Sequence, residues 1–270
     1  MPSIREILEK VAKRDIDVDE AIKRLKIFEL DYIDNKIRYD LGRELRRDIP
    51  EIVFAERKDL EELEKIIRSV VPKTGRIIIS RLRKEHINYL KNLHIDDLEI
   101  EVFDRGRIAI ARKKDFERRR HQCTIGILTA GTADISVAEE CRVVVEEMGC
   151  RAISIYDVGV AGLHRVIEAL KKVKDVDADV VIVVAGMEGA LPSVVASLID
   201  VPVIAVPTSV GYGLGGEGIA ALYSMLQACP LGLAVVNIDN GVSAAVLAAL
   251  IGKRISLYRE KCKEGLMQIT

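Results

Sequence analysis

Cys229, Glu188 and four polar, glycine-bounded loops are the groups in this chain whose types and spacing could do chemistry. Glu188 directly follows the apolar run Val180–Val184, between Met187 and Gly189. A carboxylate there would be partly desolvated with a raised pKa, suited to proton transfer, unless it simply occupies the exposed first turn of the next helix. Cys229 precedes Pro230 in a short connection between a helical pattern and the last apolar run. It is either a small apolar core residue or a thiol that needs an activated electrophile nearby. In Leu128–Ser136, Gly131 permits close backbone approach and Thr132 adds a hydroxyl beside Ala133. Asp134 there could hold a ribose hydroxyl or a metal, or cap a helix. Val210–Glu217 holds Gly211, Gly213, Gly215 and Gly216, which favours a loop folded over a ligand. His164, the one histidine after residue 124, either meets substrate or finishes a surface turn.

These loops need elements to carry them. Residues 175–252 contain no Lys or Arg, and their apolar runs, such as Val180–Ala185 and Val203–Val206, show no alternation. Such runs suit strands buried on both faces of a parallel sheet, whose ligands bind at the carboxyl ends of the strands. Strands are predicted at 124–128, 152–156, 179–185, 202–206 and 233–238. Helices follow at 136–148, up to about 173, at 218–227 and at 241–250. Five β-loop-α units predict a doubly wound α/β/α three-layer sandwich with a mainly parallel sheet over residues 121–270.

Residues 1–120 predict a smaller α+β module: helices at 3–13, 17–27, 59–71 and 84–92, strands at 51–55 and 76–80, and a hairpin of 98–103 with 108–111. Residues 31–36 read as a linker, and the acidic residues 175, 177 and 179 as a solvated connection. The first 120 residues hold 30 basic and 26 acidic side chains, the remainder 11 and 16. Heavy but balanced charge, with a net of -1 over 270 residues, gives no field for nucleic acid or membrane binding. No apolar run has the roughly 18 residues of a membrane span. No secretory leader precedes Ser3, and the expected location is cytoplasmic. Five widely spaced cysteines predict free thiols and neither a disulfide frame nor a zinc site.

Ala130–Asp134, Ala185–Ser193, Pro207–Gly213 and Val236–Gly241 together resemble the LarB family, pyridinium-3,5-biscarboxylate mononucleotide synthases of nickel-pincer nucleotide cofactor biosynthesis. The C-terminal half also resembles the PurE-type aminoimidazole ribonucleotide carboxylases. Asp40–Lys58 is similar to the family's N-terminal part but reads Asp40-Leu41-Gly42-Arg43 and Ala55-Glu56-Arg57-Lys58, without the glycine-rich spacing and histidine expected there.

The resemblance implies carboxylation of nicotinate adenine dinucleotide by CO2 at C5 of the pyridinium ring, then hydrolysis of the phosphoanhydride to release AMP. It implies Cys229 as the nucleophile that adds to the ring and makes Glu188 the candidate base. The substrate-binding set expected is Gly131, Thr132, Ala133, Asp134, Asp157, His164, Gly186, Met187, Ser209, Gly211, Gly213, Asp239 and Asn240. Mg2+ is expected to assist the hydrolysis, with unassigned ligands. A homo-oligomer is expected, by resemblance an octamer. Two other readings stand beside this one: a purine-pathway carboxylase or mutase, which would not need Cys229, and a non-catalytic nucleotide sensor.

Overall fold

The computed structural model describes residues 4–26, 30–33 and 37–263. They form two compact units, one of Met1–Val102 with Ile108–Phe116, the other of Phe103–Arg107 with Glu117–Thr270.

The first unit carries α1 (Ile4–Ala12), α2 (Val18–Lys26), β1 (Leu30–Ile33), β2 (Ile37–Asp40), α3 (Arg43–Arg47), β3 (Ile52–Phe54), α4 (Leu60–Thr74), β4 (Arg76–Ser80), α5 (Lys84–Asn92), β5 (Leu98–Phe103) and β6 (Ile108–Lys113). Four of these strands form a sheet in the order β3-β4-β6-β5. The Asp59 carboxylate caps α4 by accepting from the Glu62 N–H at 2.7 Å, and Gly75 ends the helix at φ 85°. Between these caps Leu63, Ile66, Ile67, Val70 and Val71 recur at helical spacing and are buried. The expected linker at 31–36 is corrected: residues 30–33 and 37–40 pair as antiparallel strands, with 34–36 outside the described residues. Its polar character misled because Asp31 is held by α4, accepting from Ser69 at 2.6 Å and pairing with Lys73 at 2.6 Å, while Ile33 and Tyr39 enter the core.

The second unit alternates strand and helix: β7 (Thr124–Thr129), α6 (Ile135–Glu147), β8 (Arg151–Ile155), α7 (Leu163–Asp175), β9 (Val180–Ala185), α8 (Leu191–Ala196), β10 (Val203–Pro207), α9 (Ile219–Leu226), β11 (Leu233–Val235) and α10 (Gly241–Lys263). Its five strands are parallel in the order β11-β10-β9-β7-β8 and are flanked by helices. This is the doubly wound α/β fold expected. Every residue of β9 and β10 is buried, which is why their sequences do not alternate. Chain order reverses between β7 and β9, so the loops leaving those strands open a crevice at their carboxyl ends.

Several local expectations are corrected. α10 runs on past residue 250 to Lys263. Its first half buries Val242, Ala244, Ala245, Ala248 and Ala249, whereas the second half turns charged residues outward. That helix is long and apolar enough to cross a membrane by length and composition alone, yet it packs against α6 and the sheet. Asp179 is no solvated residue: it is buried, accepts from the Thr124 N–H at 2.8 Å and pairs with Arg259 at 2.8 Å. Cys123 and Cys150, expected as free thiols, form a disulfide. Thr124 pairs in register with Arg151, so the residues just before β7 and β8 stand side by side, with Cα atoms 5.0 Å apart. A separation of 27 residues hid that juxtaposition.

Candidate active site

The crevice is built around Asp134. It ends a 3-10 turn (Thr132–Asp134) between β7 and α6 and is only 3% exposed. One carboxylate oxygen accepts from the Gly131 N–H at 2.9 Å, and the other accepts from the Thr208 hydroxyl at 2.7 Å. The Gly186 backbone adds another hydrogen bond. One side chain thus ties together the loops after β7, β9 and β10. Burial pushes its pKa up, the three hydrogen bonds pull it down, and Asp239 pushes it up again, with a net upward shift. Both oxygens of Asp134 already accept hydrogen bonds from the protein, so this side chain positions the loops.

Asp239, at φ 53°, accepts from the Ser209 N–H at 2.9 Å and so braces the loop after β10 from the loop after β11. Asn240 caps α10 by accepting from the Ser243 N–H at 3.0 Å. The Met187 N–H donates to the Val210 carbonyl at 2.9 Å. Only glycine fits at 186, where a Cβ would stand 2.2 Å from that same carbonyl oxygen. Thr208 and the Val210 carbonyl were not among the expected site residues, because a buried threonine after an apolar strand has no signal of its own in sequence.

Outside this frame stand the groups open to a ligand: Thr132, Ala133, Met187, Glu188, Ser209, Gly211 and Gly213 are exposed. The desolvation expected of Glu188 is absent, because it lies in a turn beyond the end of β9 and faces out. Asp157, at φ 58°, donates its N–H to the Thr129 hydroxyl at 3.0 Å and pairs with Arg165 at 3.2 Å. His164 is exposed on the first turn of α7.

Cys229 is free and exposed, but it lies at the other end of the sheet. Val203, which opens β10, pairs with Leu233, whereas Thr208 follows its last residue, and that span is about 16 Å. Gly189 packs on Ala221 in the first turn of α9 at the crevice end, and the eight residues of α9 rise about 12 Å away from it before the chain reaches Cys229. One chain therefore does not bring Cys229 to Glu188. Cys141 is buried, donating to the Gly241 carbonyl at 3.3 Å, and burial raises its pKa well above the usual thiol range.

No group of three or more His, Cys, Asp and Glu suited to a metal occurs among the described residues. The exposed carboxylate at this crevice, Glu188, could give an ion such as Mg2+ one ligand but no cage of its own.

The AIR carboxylase family model matches residues 124–269, and that of the LarB/PurE-like N-terminal domain matches residues 33–113. The chain is a LarB-type member of the AIR carboxylase family. An uncharacterized protein of Methanocaldococcus jannaschii is 40% identical over 253 residues, 93% of this chain and 97% of that protein. The N5-carboxyaminoimidazole ribonucleotide mutase of the same organism is 39% identical over 150 residues, covering 52% of this chain and 90% of the mutase. A solved structure of PurE2 from Treponema denticola covers 54% of this chain and 98% of its own, at 18% identity and a TM-score of 0.38. The AIR carboxylase match covers the half that carries the crevice, and the mutase alignment covers about half of this chain.

Proposed function

We propose that the protein carboxylates nicotinate adenine dinucleotide at C5 of its pyridinium ring and hydrolyses the phosphoanhydride, giving pyridinium-3,5-biscarboxylate mononucleotide and AMP. The observation that carries this reading is the state of the cysteines. Cys123 and Cys150 are bonded and Cys141 is buried; of the two other free thiols, Cys262 is half-buried at the end of α10, and Cys229, the residue the LarB resemblance marks, is exposed.

A pyridinium carbon is too electron-poor to attack CO2. The Cys229 thiolate adds at C4, and the ring electrons move to nitrogen, leaving an enamine across C5 and C6. C5 then bonds to CO2, and the nitrogen lone pair forms the iminium. A base, for which Glu188 is the candidate, takes the C5 proton. Loss of the thiolate from C4 restores the pyridinium, so the net change is exchange of a proton for a carboxylate. Water then cleaves the phosphoanhydride; Mg2+, were it bound with the substrate, would supply neutralisation of phosphate charge.

Because Cys229 lies at the far end of its own sheet, a second copy must deliver it to the crevice. Exposed Ile219, Tyr223 and Leu226 recur on one face of α9, with Leu231 beyond, next to Cys229. An apolar stripe of this kind is a subunit contact surface. We assign it to a homo-oligomer; the octamer implied by resemblance is one such assembly.

Incubation with the dinucleotide, bicarbonate and Mg2+ is expected to release AMP and a ring-carboxylated mononucleotide, and Cys229→Ser to abolish carboxylation. Full carboxylation by Cys229→Ser contradicts the mechanism. The likeness to the mutase keeps a purine-intermediate mutase as a second reading; its turnover would survive loss of Cys229.

A further inference from the structure

The segment from Gly211 to Glu217 leaves the crevice rim and returns to it. At its start, Val210 is pinned by the Met187 N–H at 2.9 Å. At its end, Gly218, at φ 79°, lies so close to the Thr208 carbonyl that a Cβ would be 2.8 Å from that oxygen. Between the two pins the chain stands out from the body at Gly213 and Gly216, where a Cβ would meet nothing within 4 Å, and touches it at Gly215, where a Cβ would be 2.6 Å from Ala220. Near the first pin it displays Tyr212, which is 83% exposed and extended, at φ -145° and ψ 174°. The turn just before it runs past Met187, whose sulfur would be 3.7 Å from a Cβ at Gly211. Aromatic residues make up only 4% of this chain, so an aromatic ring held in water beside a crevice needs an explanation.

Charge indicates what covers it. Glu188 and Glu217 are exposed on the crevice loops, Asp134 being buried beneath them, and residues 175–252 contain no Lys or Arg. Arg165, near the rim, is already paired with Asp157. An exposed aromatic face complements a flat ring that carries positive charge. In the dinucleotide proposed above, positive charge sits only on the pyridinium ring, which also bears a carboxylate at C3, whereas the adenine is neutral and the phosphates are anionic.

We infer that Tyr212 is the ring-positioning residue: it stacks on one face of the pyridinium, on the Met187 side, leaving the opposite face open to the thiol. This inference rests on the carboxylase reading. A Tyr face over a cation is favourable and gains strength when water is excluded.

The test is calorimetric binding by the full chain carrying Cys229→Ala, so that no turnover occurs, with nicotinate adenine dinucleotide and with ADP-ribose, which lacks the ring. Adding Tyr212→Ala is expected to weaken the dinucleotide about tenfold and leave ADP-ribose unchanged, and Tyr212→Phe to restore dinucleotide affinity. Unchanged dinucleotide affinity in Tyr212→Ala, equal loss of both ligands, or a change in assembled mass by light scattering overturns the inference and leaves the carboxylase reading standing. If the parent binds neither ligand, the carboxylase reading falls and takes this inference with it.

Discussion

At the scale of single residues, Asp134 does the most with the least surface. A buried carboxylate holds three loops in place, and its charged form is disfavoured by the same burial. The raised pKa fixes the sign of a pH effect. Below the ordinary carboxylate pKa the acid is protonated in folded and unfolded chains alike. As pH rises, the unfolded chain loses its proton first, so Asp134 lowers stability progressively until pH passes its folded value. Asp134→Asn removes this dependence. Denaturant midpoints measured from acid to neutral pH are therefore expected to show a cost of Asp134→Asn that is largest in acid and shrinks as pH rises. A cost that grows with pH would mean that the charged form is the favoured one. Asp134→Ala, which strands the Thr208 hydroxyl and the Gly131 N–H, is expected to cost about 3 kcal/mol. The ring-positioning part assigned to Tyr212 belongs to this scale too, since one exposed side chain carries it.

At the scale of elements, the parallel sheet and its order of strands and helices were legible because β9 and β10 are buried on both faces and so carry unbroken apolar runs. The loops holding Gly131, Gly186 and Gly211 could be read as a crevice from their glycines, although only at Gly186 does close backbone contact leave no room for a side chain; at Gly131 a Cβ would make ordinary contact with Asp134 at 3.6 Å. Contacts between distant elements could not be read. The hairpin of β1 and β2 hid in polar residues that α4 satisfies, and α10 outran its apolar half because its charged half still has a face to bury, as Ser256 shows. The pairing of Cys123 with Cys150 depends on β7 and β8 being neighbours in register, which no local pattern announces. In the unreduced, denatured protein, three of the five thiols are expected to titrate, those of Cys141, Cys229 and Cys262. Reduction is expected to lower stability by about 3 kcal/mol, the loop-closure value for a span of this length. Five reactive thiols before reduction would rule out the disulfide.

At the scale of the whole molecule, the sheet separates what the reaction must join. The crevice loops lie at the carboxyl ends of the strands, Cys229 at the amino end, and the apolar face of α9 runs between them. On the proposed reading one copy's thiol reaches another copy's crevice, and the exposed stripe of Ile219, Tyr223 and Leu226 is the surface offered for that contact. Mixing two inactive variants tests this most directly. Cys229→Ala keeps the crevice but lacks the thiol; Glu188→Ala keeps the thiol but lacks the base. Co-expressed copies that pair at random place an intact thiol against an intact crevice in about a quarter of the sites, so carboxylation of the dinucleotide is expected to recover to about a quarter of the parent rate. Mixed assemblies as inactive as either variant alone would contradict the delivery of Cys229 from a second copy.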